Sequence, residues 1–264
     1  MYSLAIHLYA FVVALISPFH KKARLMRFGQ WKTNSILREK IDRNAKYIWF
    51  HASSLGEFEQ GRPMIEKIKA EHPEYKVLLT FFSPSGYEVR KNYKGADVIC
   101  YLPFDTPFRV KKFLNLANPA IAIFIKYEFL GGTICVSCGS GGIPVYIISA
   151  IFRPDQLFFQ WFGKPYRKML SYFNHLFVQD ERSMKLLNEF GITNVTVTGD
   201  TRFDRVLDVR KQARELPFIE RFLESKEGKR PIVMVAGSSW PQDEAIFIPY
   251  FHEHPEMKLI IAPH

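Results

Sequence analysis

Short apolar segments that alternate with helical segments are the feature that most limits the folds open to this chain. Strands that are apolar throughout, separated by helices, are typical of a parallel sheet that is covered on both faces. The predicted strands are 46–51, 76–82, 98–102, 120–125, 145–150, 176–178 and 195–198. The predicted helices between them are 58–71, 106–116, 157–172 and 180–190, and a turn at 83–86 leads into a further helix that ends at residue 92. We therefore expect an α/β domain built on a parallel sheet.

A second α/β unit follows a charged helix predicted at 208–226. It has strands at 232–236 and 258–262 with a helix at 243–252, after a turn at 237–240. Two parallel strands and one helix bury too little apolar surface to form an independent domain. We expect either a second domain that is only begun, or extra strands that pack onto the first domain.

The N-terminal segment predicts a membrane contact. Residues 1–19 are nearly all apolar and are followed by Lys21, Lys22, Arg24 and Arg27. A membrane span needs about 17–25 apolar residues, so this segment lies at the lower limit. Basic residues after a span would hold the rest of the chain in the cytoplasm. The alternatives are a helix in the headgroup plane, with its cationic cluster on anionic lipid, or a buried core helix.

The net charge narrows the kinds of partner. A formal charge of +10 with a pI of about 9.4 favours anionic partners such as nucleic acid, an acidic membrane surface or a phosphorylated substrate. No zinc-finger, RRM or KH signature is present, so nucleic acid is not favoured. The lone Cys135–Cys138 pair is a weak signal for a metal or redox site, because no second pair accompanies it.

The segment from His51 to Gln60 joins a predicted strand to a predicted helix through a turn that contains Gly56. Ligands of open α/β sheets bind at the carboxyl ends of the strands, so Glu57 lies at a natural position for chemistry. A carboxylate there can act as a general base toward a hydroxyl. Alternatively, Glu57 only complements the helix dipole in the first turn. The spacing leaves both interpretations open.

Further polar side chains follow other predicted strands, and their convergence at one edge of the sheet predicts a cleft. Glycine and serine turns that enter helices offer backbone N–H groups to anions. The sequence contains no P-loop, no Gly-x-Gly-x-x-Gly, no Gly-x-Ser-x-Gly elbow and no histidine spacing typical of a metal site. The segments at the strand ends are 53–57, 83–88, 126–128, 153, 199–204 and 237–239.

The order of these motifs resembles the 3-deoxy-manno-octulosonic acid (Kdo) transferases of Gram-negative lipopolysaccharide assembly. The most specific parts are the Ser54-Leu-Gly-Glu57 turn and the Gly199-Asp-Thr-Arg-Phe-Asp204 segment. The resemblance implies a GT-B fold with two Rossmann-like domains. It also implies transfer of Kdo from CMP-Kdo to a lipid A precursor with inversion, without a cofactor or an essential metal. The reaction would take place at the cytoplasmic face of the inner membrane, in contact with its lipids. Other motifs that carry the resemblance are 83–86, 126–128, 148–153, 177–180 and 236–239.

The resemblance also implies roles for individual residues. Glu57 matches the general base, and Glu128 matches a second glutamate of the cleft that positions the acceptor or assists the donor. The residues implied on the acceptor side are Ser54, Gly56, Ser85, Gly86 and Arg153. The residues implied on the donor side are Arg202, Gly237, Ser238 and Ser239. Arginine forks suit phosphate and carboxylate groups.

The implied domain organisation departs from the family pattern in two places. The CMP-sugar-binding domain should continue past His264, so we expect it to be incomplete here. The stretch 131–142 is rich in glycine and cysteine, which disfavours the helix that the family has there. The implied domains are an anchor at 1–20, a basic linker or helix at 21–45, an acceptor-binding domain at 46–206, and the beginning of a CMP-sugar-binding domain at 207–264.

Two other functions fit the same features. One is a different GT-B glycosyltransferase that acts on a lipid-linked sugar, which would prefer a UDP-sugar to CMP-Kdo. The other is a non-catalytic chain that binds anionic lipid through its basic face and transfers nothing.

Overall fold

The computed structural model describes residues 2–126, 132–211, 213–224 and 231–264. Glu128 lies outside these residues. The described part of the chain divides into two compact units, residues 1–209 and 210–264, and each is considered by itself.

A parallel sheet forms the centre of the first unit and confirms the predicted α/β class. Among the described residues it has seven strands in the order β3-β2-β1-β4-β5-β6-β7. The order reverses between β1 and β4, which makes their carboxyl ends the topological switch point where open α/β sheets bind ligands. The strands are β1 (Lys46–Ala52), β2 (Tyr75–Phe81), β3 (Val98–Tyr101), β4 (Pro119–Ile125), β5 (Val145–Ala150), β6 (His175–Val178) and β7 (Val195–Val197).

Helices connect the strands and cover the sheet. The described helices that begin in this unit are α1 (Tyr2–Ile16), α2 (Lys21–Lys40), α3 (Leu55–Glu71), α4 (Pro84–Arg90), α5 (Pro107–Ala117), α6 (Gly132–Ser140), α7 (Lys164–Leu170), α8 (Glu181–Glu189) and α9 (Thr201–Lys211).

The single helix predicted at 157–172 is wrong. A short 3-10 turn at Leu157–Phe159 is followed by α7, and Gly163 lies between them. A Cβ atom at Gly163 would lie 2.3 Å from the carbonyl oxygen of Leu157, so the chain turns back on itself too closely for a larger residue. The Arg167 guanidinium donates to the carbonyl oxygen of Phe158 at 2.6 Å and holds this reversal together.

The two faces of β1 pack into different parts of the core, because successive side chains of a strand point in opposite directions. Trp49 belongs to the larger cluster, where its ring lies 5.0 Å from that of Phe113. Phe50 belongs to the other cluster, together with Phe58 and Ile65 of α3. All five residues are fully buried. Burial on both faces therefore explains the continuous apolar character of the strand.

The expectation that the glycine- and cysteine-rich stretch 131–142 is a poor helix is also wrong, because α6 occupies Gly132–Ser140. The buried carboxylate of Asp105 accepts hydrogen bonds from the backbone N–H groups of Thr133 at 2.9 Å and Ile134 at 3.0 Å. These bonds satisfy N–H groups that have no partner within the helix. The cap and the burial of Ile134, Cys135 and Cys138 stabilise a helix of low intrinsic propensity.

The second unit contains two described strands that pair in parallel, β8 (Val233–Ser239) and β9 (Lys258–Pro263). Helix α10 (Pro217–Leu223) precedes β8, and α11 (Pro241–Glu253) connects the strands. The single charged helix predicted at 208–226 is wrong, because α9 ends at Lys211 and α10 starts at Pro217. Proline favours the first turn of a helix, where its missing N–H costs no hydrogen bond.

The N-terminal helix α1 packs against α2 and against the loops that follow β2 and β3. Tyr9 lies 6.4 Å from Phe82 and 5.7 Å from Phe104, measured between ring centroids. Among the described residues, no single helix is both long and apolar enough to cross a membrane. The helices at residues 3–16 and 21–40 are together long and apolar enough to do so, but the pair is bent by 118°.

Candidate functional site

The first part of the candidate site is the turn between β1 and α3, where Ser54 forms the N-cap of the helix. The Ser54 hydroxyl accepts a hydrogen bond from the Glu57 backbone N–H at 3.4 Å. The half-buried Glu57 carboxylate accepts one from the Ser53 N–H at 2.6 Å. This arrangement resembles a capping box. Glu57 therefore has the capping role that the sequence left open, and its carboxylate lies at the switch point, where it can also meet a substrate hydroxyl.

The loop after β2 forms the neighbouring wall of the site. The Ser83 N–H donates to the Ser53 carbonyl oxygen at 2.8 Å and ties this loop to the Glu57 turn. The hydroxyls of Ser83 and the exposed Ser85 share a hydrogen bond of 3.0 Å. At Gly56, an added Cβ atom would meet nothing within 4 Å. Gly56 thus has open space beside it, and Ser85 is exposed on the loop that is tied to the Glu57 turn.

Gly86 has a packing role that the sequence did not reveal. It is buried, and a Cβ atom there would lie 2.3 Å from the ring of the fully buried Phe81. Glycine therefore allows α4 to approach the end of β2. This close contact explains Gly86 without requiring it to touch a substrate.

A polar cluster lies at the carboxyl ends of β4, β5 and β6. The Ser149 hydroxyl shares a 2.9 Å hydrogen bond with that of Thr201, and its carbonyl oxygen accepts from the Gln179 side chain at 2.8 Å. Lys126 and Ser149 have positive φ angles of 61° and 54°. Such angles are unfavourable for residues other than glycine and concentrate at functional sites. Lys126 and Thr201 lie in two of the predicted strand-end segments, 126–128 and 199–204, and Ser149 and Gln179 lie in the motifs 148–153 and 177–180.

The two predicted arginines differ in what they contact. The Arg202 guanidinium donates to the Asp200 carboxylate through Nε at 2.7 Å and Nη2 at 2.5 Å. These hydrogen bonds lower the pKa of Asp200, to which Lys126 adds a smaller electrostatic effect, and they raise the pKa of Arg202. Arg153 is exposed, and no ion pair joins it to another described residue. Arg153 is therefore available to an anion, whereas Arg202 is already paired.

The predicted donor-side residues of the second unit lie in β8, which extends to Ser239 and not to 236 as predicted. Gly237 is exposed, and Ser238 has a φ of 58° at an irregularity in the pairing with β9. The Ser238 hydroxyl contacts His264 Nδ1 at 2.9 Å, and the buried Ser239 hydroxyl donates to Glu244 at 2.8 Å. Both serines thus have partners within this unit.

Two buried polar atoms near Glu57 lie in the segment from His51 to Gln60, of which the sequence predicted only Ser53 to lie at a strand end. Ser53 Oγ and Gln60 Oε1 have no hydrogen-bond partner among the described residues. Buried polar groups are normally paired, so such atoms mark places where water or a ligand group can bind. Ser53 follows the strand directly, whereas Gln60 lies on the inner face of α3, where only the packed structure reveals it.

The cysteines are core residues. Cys100, Cys135 and Cys138 are all buried, and burial raises the pKa of each thiol, to about 12 for Cys138. In the described part of the chain, no group of histidine, cysteine and acidic residues could hold a metal ion.

We expect all three thiols to resist modification by Ellman's reagent in the folded protein, because only an exposed thiolate reacts. Complete reaction is expected after denaturation in guanidinium chloride, and this serves as the control. Rapid native reaction of two thiols would instead indicate an accessible Cys135–Cys138 site.

Comparison with solved structures identifies the fold. A UDP-N-acetylglucosamine 2-epimerase from Listeria monocytogenes, described as putative, aligns with a TM-score of 0.56 at 13% identity, over 83% of this chain and 63% of that one. The enzyme from Neisseria meningitidis, solved with UDP-GlcNAc, aligns with a TM-score of 0.54 at 14% identity, over 83% and 66%. These identities establish a shared fold alone, and the predicted GT-B type of α/β architecture is confirmed.

The sequence identifies the family. The family model of the 3-deoxy-D-manno-octulosonic-acid transferases (kdotransferases) matches residues 23–205, which include Glu57 and the loops around it. The chain belongs to this family of glycosyltransferases.

Individual relatives agree with this assignment. The 3-deoxy-D-manno-octulosonic acid transferase of Rickettsia bellii is 28% identical over 211 residues, which are 78% of this chain and 48% of that protein. The Haemophilus influenzae protein of the same name is 25% identical over 225 residues, or 82% of this chain and 51% of that protein. The chain thus spans about half the length of these relatives.

Proposed function

We propose that this chain acts in the transfer of Kdo from CMP-Kdo to a lipid A precursor. The observation that carries this proposal is the family match over 23–205, which covers the turn that holds Glu57 at the switch point of the sheet. The exposed positions beside it, Gly56 and Ser85, leave room for a sugar.

The proposed reaction is a single inverting displacement. Glu57 takes the proton of an acceptor hydroxyl, whose oxygen attacks the anomeric carbon of Kdo while the bond from that carbon to the CMP phosphate breaks. The CMP phosphate leaves with the bonding electron pair. The protein needs to supply orientation and charge complementarity in addition to the base.

Basic side chains that follow β5 and β7 suit the anionic substrates. Arg153 is exposed and free of ion pairs among the described residues, so we assign it to a phosphate of the acceptor. Donor contacts are assigned to Arg202 and to Gly237, Ser238 and Ser239. Such contacts require Arg202 to exchange its partner Asp200 for a donor group. Glu128, which follows β4 in the sequence, is assigned to positioning the acceptor or assisting the donor.

We further propose that α1 and the start of α2 hold the protein on the cytoplasmic face of the inner membrane. Leu4, Leu8 and Phe11 of α1 are between 59% and 74% exposed. Lys21, Lys22 and Arg24 follow them, and the sequence contains no acidic residue before Glu39. An exposed apolar helix next to a cationic cluster is typical of a protein that lies on an anionic bilayer.

Co-flotation with vesicles tests whether the chain recognises the phosphates of the proposed acceptor. Phosphatidylcholine vesicles would carry the lipid A precursor, its dephosphorylated form, or neither. We expect the largest fraction of the chain to float with vesicles that carry the phosphorylated precursor. An Arg153→Ala variant should lose part of this binding. Equal flotation with all three vesicles would show that the phosphates are not recognised.

A further inference from the structure

An apolar groove lies between α1, α2 and the loop after β2. Its volume is about 420 Å³, and its walls include Val12, Ile16, Met26, Phe82 and Pro84. Val12 and Ile16 are 40% and 46% exposed, so apolar side chains line a space that is open to the outside. The volume falls in the range of sites that hold small ligands, and the apolar walls suit a hydrocarbon chain.

Aromatic packing gives the groove a rigid wall. Tyr9, which lines it, stacks on Phe82 at 6.4 Å and meets Phe104 edge-on at 5.7 Å. Phe104 is buried in the same small cluster as Val13 and Met26. The groove is therefore formed by packed side chains and does not depend on a ligand to shape it.

The edge of the groove is basic. His20 and Lys22 belong to its lining, and Lys21 and Arg24 are exposed on the same turn of α2. Among the described residues, no carboxylate forms an ion pair with these lysines or with Arg24. An apolar groove with cations at its edge complements an acyl chain attached to an anionic head group.

The groove also shares the loop after β2 with the candidate site. Ser83 and Pro84 belong to its wall, and the Ser83 N–H donates to the Ser53 carbonyl oxygen at 2.8 Å. The Ser53 N–H in turn donates to the Glu57 carboxylate at 2.6 Å. The loop that forms this wall is thus connected to Glu57 through two hydrogen bonds of Ser53.

We propose that this groove binds one acyl chain of the phosphorylated glycolipid acceptor while its sugar lies beside Glu57. The inference rests on the proposed function and adds a specific subsite to it. It distinguishes the groove from the outward face of α1, where Leu4, Leu8 and Phe11 would contact the bulk bilayer. The groove would select acylated acceptors over deacylated ones.

The test fills the groove with a larger side chain. Val12→Trp places an indole in the groove, and Val136→Trp on α6 is the matched control because Val136 is equally exposed, at 40%, and lies outside the groove. Dissociation constants would be measured for the acylated lipid A precursor in neutral detergent micelles and for its fully deacylated sugar phosphate in the same detergent.

We expect Val12→Trp to weaken binding of the acylated precursor by about tenfold, as the loss of contact with two methylene groups would do. The dissociation constant of Val12→Trp for the deacylated form should stay within about twofold of that of the unchanged chain. The same should hold for Val136→Trp with both forms of the precursor. Equal affinities of the two variants for the acylated precursor would overturn the groove assignment alone. Failure of the unchanged chain to bind either form would overturn the proposed function.

Photo-crosslinking provides a second measurement that does not depend on a variant. A precursor with a diazirine in the middle of one acyl chain should label the segment that carries Phe82, and phosphatidylglycerol with the same group should label it much less. Equal labelling by both lipids, or labelling of α1 without this segment, would show that the groove does not recognise the acceptor.

Discussion

Replacement of Glu57 by glutamine is expected to lower the rate of Kdo transfer by about 10²–10⁴-fold, the usual contribution of a general base. A glutamine oxygen can still accept the hydrogen bond that the Ser53 N–H donates at 2.6 Å, so the turn should keep its shape. The amide cannot take a proton from the acceptor hydroxyl. The rate constant should therefore fall while the affinity for the acceptor is preserved.

The matched control is Glu71→Gln, at the other end of α3, where the side chain is exposed. It changes the same charge on the same helix and should leave the rate within about twofold, as for most exposed substitutions. Rates would be measured with radiolabelled donor at saturating acceptor. Equal rates for both variants would show that Glu57 serves only as a helix cap.

Replacement of Trp49 by alanine should lower the free energy of unfolding by about 3–5 kcal/mol, the range for buried tryptophans. Trp49 is fully buried, and its ring lies 5.0 Å from Phe113 and 5.3 Å from Phe124. Its Nε1–H donates to the Thr80 hydroxyl at 2.8 Å. The substitution leaves a cavity and removes a partner of Thr80 at the same time.

Urea denaturation followed by circular dichroism would measure this change. Trp161→Ala is the control, because Trp161 is 91% exposed and its loss should change the unfolding free energy by less than about 0.5 kcal/mol. Similar midpoints for the two variants would mean that Trp49 is not part of a tightly packed core.

The strands of the first unit could be predicted because strands that are buried on both faces consist of consecutive apolar residues. Strand β5 occupies the residues predicted, Val145–Ala150. Helix α3 begins three residues before its predicted start, because Ser54 caps the helix and Leu55 opens its first turn. Apolar periodicity locates a helix, whereas a cap decides where it starts.

Helix α6 could not be predicted from its own sequence, because its stability comes from elsewhere. Asp105, which caps it, lies 28 residues before Thr133, so only the folded chain brings the two together. The break before α7 has a similar origin. It depends on the close approach of Gly163 to the carbonyl oxygen of Leu157. Tertiary contacts outweigh local propensity in both places.

For the candidate site, residue position was easier to predict than residue role. Glu57 and Ser85 lie at the ends of neighbouring strands as expected, because parallel strands end at one edge of the sheet. Gly86 packs on Phe81, and Arg202 pairs with Asp200. A position at the end of a strand reveals neither contact. The catalytic and binding roles of the site residues stay predictions.

A comparison of donors tests the proposed Kdo transfer most directly. The chain would be incubated with a lipid A precursor and either CMP-Kdo or UDP-N-acetylglucosamine, and the product would be identified by mass spectrometry. We expect addition of Kdo from CMP-Kdo and no product from the UDP-sugar. Transfer from the UDP-sugar, or binding of the precursor with no transfer from either donor, would contradict it.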